Sequence, residues 1–153
     1  MIKILVFSFY YEPDLCAGSF RCTSLINALK TLRDVEIEVI TTQPNRYASF
    51  SAEAGECEKN GNVTVNRVSL PSHKSGILDQ IRAFTTFYRY ALKISMKSEH
   101  HLVFATSSRL FTAFLGSRIA RLKKVPLYLD IRDIFVDTVN ELLPTNVAWL
   151  VKP

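Results

Sequence analysis

The sequence predicts a Rossmann-like α/β domain, a parallel sheet with helices on both faces. Three observations predict it. Short, nearly continuous apolar runs recur along the chain, helix-patterned segments stand between them, and the first run passes through a loop into a helix that begins near Gly18. Runs that are apolar at every position are strands covered on both faces, the habit of parallel sheets. Strand–helix alternation supplies the crossovers that such sheets need.

The first strand spans residues 2–8, and a helix follows over 18–32, with Leu25, Ile26, Leu29 and Leu32 as its apolar positions. The second strand is 35–42. Residues 43–62, rich in Asn, Ser, Gly and Glu, read as a long mobile connection. A third strand alternates over 63–70, and 71–76 is a break. Residues 77–98 carry the longest helical pattern. A fourth strand lies at 101–105, a helix at about 108–123 and a fifth strand at 126–131. A helical piece near 135–143 and the start of another near 146 complete the pattern. The chain stops inside an apolar-patterned segment, as a cut through a longer protein would.

The 153 residues suit one domain with one core. No apolar stretch approaches the ~18 residues of a membrane span, and the N-terminus has no signal-peptide pattern. Cys16, Cys22 and Cys57, odd in number and irregularly spaced, form neither a disulfide framework nor a zinc signature. Free thiols in a cytoplasmic protein are expected. His73, His100 and His101 have no ligand partner at useful spacing and read as surface or strand-start residues, so no metal and no cofactor is expected. No Ser/His/Asp or Cys/His arrangement supports hydrolase chemistry.

The net charge of +5 is unevenly spread. Residues 1–61 carry six basic and eight acidic side chains, a net of −2, whereas 73–98 carry five basic residues against Asp79 alone, a net of +4. At 100° per residue, Arg82, Thr86, Arg89, Lys93 and Lys97 fall within an arc of roughly 80°. Ile81, Phe84, Tyr88, Ala91 and Ile94 lie on the other side, as a core face. A solvated basic face explains the stripe. Contact with an anionic membrane surface, through Arg82, Arg89, Lys93 and Lys97, is the alternative. No recognised nucleic-acid-binding fold accompanies it, so no nucleic-acid partner is expected.

The loop after the first strand places a helix N-terminus at the strand's C-terminal edge, where backbone N–H groups and the helix dipole favour an anion. Several anionic ligands are excluded by motif. There is no Gly-x-Gly-x-x-Gly, and the second strand ends in Thr41 and Thr42 with no acid for a ribose, against a dinucleotide. There is no P-loop, and no acidic residue ends the first strand as a phosphoryl-accepting receiver requires. A sugar and its nucleotide remain.

The runs F-Y-Y-E-P-D at 9–14, A-G-S-F-R at 17–21, L-I-N-A-L at 25–29 and V-E-I-E-V-I-T-T at 35–42 resemble the opening of family-four glycosyltransferases of the GT-B fold. The bacterial surface-polysaccharide branch is the nearest in pattern. Thr106, Ser107 and Ser108, followed by V-P-L-Y-L-D-I-R-D at 125–133, resemble the family's later strand with its Arg-Asp or His-Asp element facing the cleft. The resemblance implies that residues 1–153 are the acceptor-side half of a retaining, nucleotide-sugar-dependent transferase. Its partners would be a nucleotide-sugar donor and a saccharide or lipid-linked acceptor, and its location cytoplasmic, peripheral on the inner face of the plasma membrane. The donor half's Glu-x7-Glu element is absent, so the fragment alone is expected to be inactive. Three departures stand out: Ala17 replaces a family glycine, Phe135 and Val136 replace the usual Trp-Pro, and Arg132 stands where many relatives have His. A His-based catalytic role is therefore not carried over.

The resemblance implies that Gly18 and Arg21 lie near the diphosphate and the acceptor, and that Arg132 and Asp133 orient sugar hydroxyls or charges, as weak catalytic candidates. Each residue also has a plainer role. Gly18 and Ser19 suit a simple helix start, with Ser19 or Asp14 as cap. Arg21 opposes the dipole in the first turn, which suits a ligand anion or an ion pair with Glu12 or Asp14. Asp130 and Arg132 point to one face and Asp133 to the other, and an Arg–Asp pair can simply tie down a loop. Ser107 suits capping as well as ligand binding. A non-enzymatic binding domain that meets its partner through the basic helix is the rival from another class.

Overall fold

The first apolar run forms β1 (Ile2–Phe7), the core strand on both of whose faces the rest of the domain is laid. In order follow α1 (Ala17–Lys30), β2 (Val35–Thr42), β3 (Cys57–Asn60), β4 (Val63–Val68), α2 (Ile77–Ser95), β5 (Leu102–Thr106), α3 (Leu110–Lys123) and β6 (Leu127–Asp130). The computed structural model describes residues 1–44, 54–71, 77–107 and 110–132. The six strands form one sheet in the order β3-β4-β2-β1-β5-β6, parallel throughout except for β3. The expected Rossmann-like architecture is present. No helix among the described residues is long and apolar enough to cross a membrane.

Alternation along β1 assigns the helices to faces. Ile4 and Val6 join Cys22 and Ile26 of α1 and Ile37, Val39, Val63 and Val65 in one cluster. Leu5 and Phe7 join Phe87 and Ala91 of α2, Val103 and Ala105 of β5, and Leu115 and Ile119 of α3 in the other. Gly116 lets α3 lie close on β5, since a Cβ there would meet the Ala105 Cβ at 2.4 Å.

The connection expected over 43–62 contains β3, which pairs antiparallel with β4 through Cys57↔Asn66 to Asn60↔Val63. All four of its side chains are exposed, so it has no apolar pattern to betray it. Its turn is Gly61, at φ +63°, a conformation natural to glycine. Asn62 Nδ2 reaches the carbonyls of Lys30 and Val35, tying that turn to the end of α1.

The core face of α2 also differs from expectation. Ala83, Phe87 and Ala91 are buried, while Ile81 is exposed. Small alanines let the helix approach the sheet, and the larger apolar residues are left on its flank. Leu32, expected among the apolar positions of the first helix, lies beyond α1 and is exposed. The expected pieces near 135–143 and 146 lie outside the described residues.

Candidate functional site

The strand order makes β1 and β5 neighbours whose connections leave in opposite directions, the switch point beside which open α/β sheets bind ligands. The loop following β1 is pinned there. Ser8 is buried and its Oγ donates to the Tyr10 carbonyl. Thr42 Oγ1 donates to the Phe9 carbonyl at 2.7 Å, and the Phe9 ring packs edge-on against Phe87 of α2. The loop delivers the chain into α1 at Cys16, the N-cap, which makes no side-chain cap bond. The expected capping by Ser19 is not made, since its Oγ has no hydrogen-bond partner among the described residues. Phe20 N–H makes the bond to the Cys16 carbonyl, so the amides of Ala17, Gly18 and Ser19 belong to the helix's unpaired first turn.

Against that terminus stands the end of β6. Arg21 Nη2 donates to Asp130 Oδ1 at 2.6 Å, and Arg132 Nε donates to Asp130 Oδ2 at 3.1 Å. Arg132 Nη2 also reaches the Gly18 carbonyl at 3.4 Å. The Arg132 amide donates to Ser107 Oγ at 2.9 Å, and the Ser107 amide to the Asp130 carbonyl at 2.9 Å. Gly18, Arg21, Ser107, Asp130 and Arg132 thus form one connected cluster. The ion pair of Arg21 is made with Asp130, not with Glu12 or Asp14. Two guanidinium groups share one carboxylate, which leaves one positive charge in excess beside a positive helix end, a setting for an anion.

Ser19 is buried, and its Oγ has no hydrogen-bond partner among the described residues. Cys22, one turn on, is buried beneath the cluster. Burial pushes its thiol up to about 11, although the Ser8 hydrogen bond and the Arg132 charge pull the other way. It is an inert core thiol rather than a nucleophile. Asp133 and Ser108 lie outside the described residues, as does His73. Arg82, Arg89, Lys93 and Lys97 are exposed on or just beyond α2 and take no part in the cluster.

Sequence reasoning missed two polar centres. Arg67 is buried at the end of β4, where Nη1 meets Glu58 Oε2 at 2.9 Å and Nη2 donates to the Glu12 carbonyl at 2.9 Å. It anchors the site loop from below. Alternation with Val63 and Val65, which face α1, was the available signal. His100, expected at the surface or at a strand start, is buried just before β5, and its Nε2 hydrogen-bonds Glu38 Oε2 at 2.8 Å. Asn66 Nδ2 holds the other oxygen of Glu38. Glu38 and His100 line a cavity of about 240 Å³ at or near the N-terminal end of the strands, away from the cluster.

No protein family model and no curated protein matches the sequence. Among solved structures, the chain is similar to a UGT transferase from Siraitia grosvenorii in complex with UDP, with a TM-score of 0.45 and 14% identity. The match covers 84% of this chain and 27% of that one, so the chain spans about a quarter of its length.

Proposed function

We propose that the cluster of Gly18, Arg21, Ser107, Asp130 and Arg132 is one wall of a sugar-transfer cleft, in the acceptor-side domain of a retaining, nucleotide-sugar-dependent glycosyltransferase of surface-polysaccharide synthesis. The observation that carries it is the joining of the α1 N-terminus to the end of β6 through the shared Asp130 carboxylate. It supports an anionic, phosphate-bearing ligand at this edge. In that role Arg21 and Arg132 bind phosphate oxygens, Asp130 holds both guanidinium groups in place, and the first amides of α1 add their dipole. Ser107 positions Arg132. Asp133 remains a candidate for orienting a sugar hydroxyl. Stabilisation of departing diphosphate charge by such fixed groups is electrostatic preorganisation, and a second, donor-binding domain would supply most of it.

The exposed basic residues Arg82, Arg89 and Lys93 favour a second element of the same proposal, contact of α2 with anionic headgroups at the cytoplasmic face of a membrane. Ligand-observed NMR with UDP, UDP-sugars and sugar phosphates tests the cleft. Binding of a phosphate-bearing ligand that is lost in both Arg21→Ala and Arg132→Ala is expected. Binding indifferent to both substitutions would remove the assignment.

A further inference from the structure

A further cavity lies on the other flank of α1. A crossover helix between β2 and β4 would cover the sheet there, but among the described residues that connection brings only β3. The outer part of this face is therefore open beside α1. A cavity of about 360 Å³ occupies it, a volume within the range of small-molecule sites. Ile26 of α1 and Val63 and Val65 of β4 make a buried apolar floor, with Tyr11 and Arg67 buried beside them. The rim is polar, set by exposed Glu12, Asn27, Glu58 and Asn60 and by half-buried Lys30.

Three observations say what it takes. The carboxylates of Glu12 and Glu58 balance the charges of Lys30 and Arg67, so neither an anion nor a cation is favoured. Arg67 is already committed to Glu58 and to the Glu12 and Gly55 carbonyls. Its Nε–H alone is buried without a partner among the described residues, on a side chain 3% exposed, and a buried donor of this kind calls for an acceptor. The rim also mixes acceptors with donors. The Tyr11 hydroxyl is hydrogen-bonded to the Glu12 carboxylate and held protonated, chiefly by burial. Carboxylates accept, amides do both, and a hydroxyl group, itself donor and acceptor, can pair with either. An apolar floor beneath such a rim suits the C–H face of a sugar ring.

We propose that this cavity is a second binding site, separate from the cleft, for an uncharged polyhydroxylated ligand, a sugar ring or polyol held by its hydroxyls. Arg21 and Lys30 stand about two and a half turns apart along α1, so the two sites lie on opposite flanks of the helix. None of the cavity's residues belongs to the cluster, and the proposal does not rest on the transferase reading.

Methyl α-glucoside, methyl α-mannoside, methyl β-galactoside and maltose are the probes, titrated into the 153-residue chain and read by proton–nitrogen NMR. At least one is expected to move the side-chain amides of Asn27 and Asn60 and the Arg67 Nε–H saturably, with a millimolar dissociation constant. Asn27→Ala and Glu12→Ala should each weaken it by about threefold to tenfold, the loss of one or two hydrogen bonds. Both residues are exposed, so the fold is retained, as circular dichroism checks. Arg21→Ala, on the far flank, should leave the dissociation constant unchanged. No saturable shift with any of the four sugars, or a shift indifferent to both Asn27→Ala and Glu12→Ala, overturns the proposal. Glucuronate and glucosamine test the charge balance, and a cavity that takes either in preference to the neutral sugars is an ion site, which also overturns it. So does a shift lost in Arg21→Ala and kept in Asn27→Ala, which puts the sugar in the cleft. The two readings fail separately, since an Arg21-dependent phosphate ligand without sugar binding here leaves the cleft standing and sinks this site alone.

Discussion

Arg21 and Asp130 stand 109 positions apart in the chain and are joined by a 2.6 Å hydrogen bond between the fifth residue of α1 and the last residue of β6. The pair is unequal. The Arg21 side chain is 64% exposed, that of Asp130 only 11%. Asp130 is therefore the structural partner, holding Arg132 as well, and Arg21 is the one free to turn towards a ligand.

Asp130→Asn should separate stability from binding. It keeps the shape, removes the charge and leaves two guanidinium groups beside a positive helix end. A loss of about 1–3 kcal/mol is expected. Arg21→Ala, at an exposed pair, should cost less than about 1 kcal/mol. Urea unfolding measures both. Affinity for pyrophosphate should rise in Asp130→Asn, because the anion no longer competes with a carboxylate, and fall in Arg21→Ala.

Gly116 should accept no side chain. A Cβ there meets the Ala105 Cβ at 2.4 Å, so Gly116→Val must lift α3 from β5, at about 1–3 kcal/mol for overpacking. The double variant Gly116→Ala/Ala105→Gly should recover part of the loss of Gly116→Ala. If the single variant unfolds at the same urea concentration as the parent, the close helix–strand contact is wrong.

What could be read in the sequence follows physical pattern. β1 and β5 were legible because residues on both their faces are buried, which writes a continuous apolar run. β3 was illegible because Cys57–Asn60 faces solvent throughout and is held to β4 by backbone pairing alone. The members of the site cluster were legible as residues set against their local preference, a cation in a first helical turn and charges at a strand end. Their pairing was not. It depends on β1, β5 and β6 lying side by side, and Glu12 and Asp14 were nearer choices in sequence. The exposed flank of α2 was misjudged because its apolar residues cover too wide an arc for periodicity to choose a core face.

Arg67 should be a strong point of the site loop. Its guanidinium serves the Glu12 and Gly55 carbonyls and Glu58 together, and Arg67→Met leaves them unserved, at about 1–3 kcal/mol. Burial works against ionisation of Glu58, but the Arg67 hydrogen bond, the Gly55 N–H and the Arg67 charge outweigh it and hold the carboxyl below its ordinary 4.5. A carboxyl lowered on folding contributes stability above its unfolded pKa and loses it as pH falls through the folded one. Glu58 is half exposed, so its share is under about 1 kcal/mol after screening. The stability gap between the parent and Glu58→Gln should therefore close as pH falls below 4.5, and a gap that persists in acid would contradict the ion pair.

Cys22 gives the alkaline counterpart. Its thiol is pushed up to about 11 from 9.0, first by burial. Burial, and after it the Glu12 charge, raises the neighbouring Tyr11 hydroxyl too. A thiol raised on folding contributes stability below its unfolded pKa and loses it as pH climbs through the folded value, so the loss falls between 9.0 and about 11. Urea unfolding at about pH 8 and about pH 10.5 should show a smaller decline in Cys22→Ala than in the parent. Tyr11 remains in both proteins, so the difference isolates the thiol. Labelling gives an independent check. Iodoacetamide at about pH 8 should modify exposed Cys57 in the folded protein and reach Cys22 only on unfolding. Modification of native Cys22 at a rate comparable to Cys57 would mean that the thiol beneath the Arg132 cluster is open to solvent, and that the floor of the proposed cleft is not packed as described.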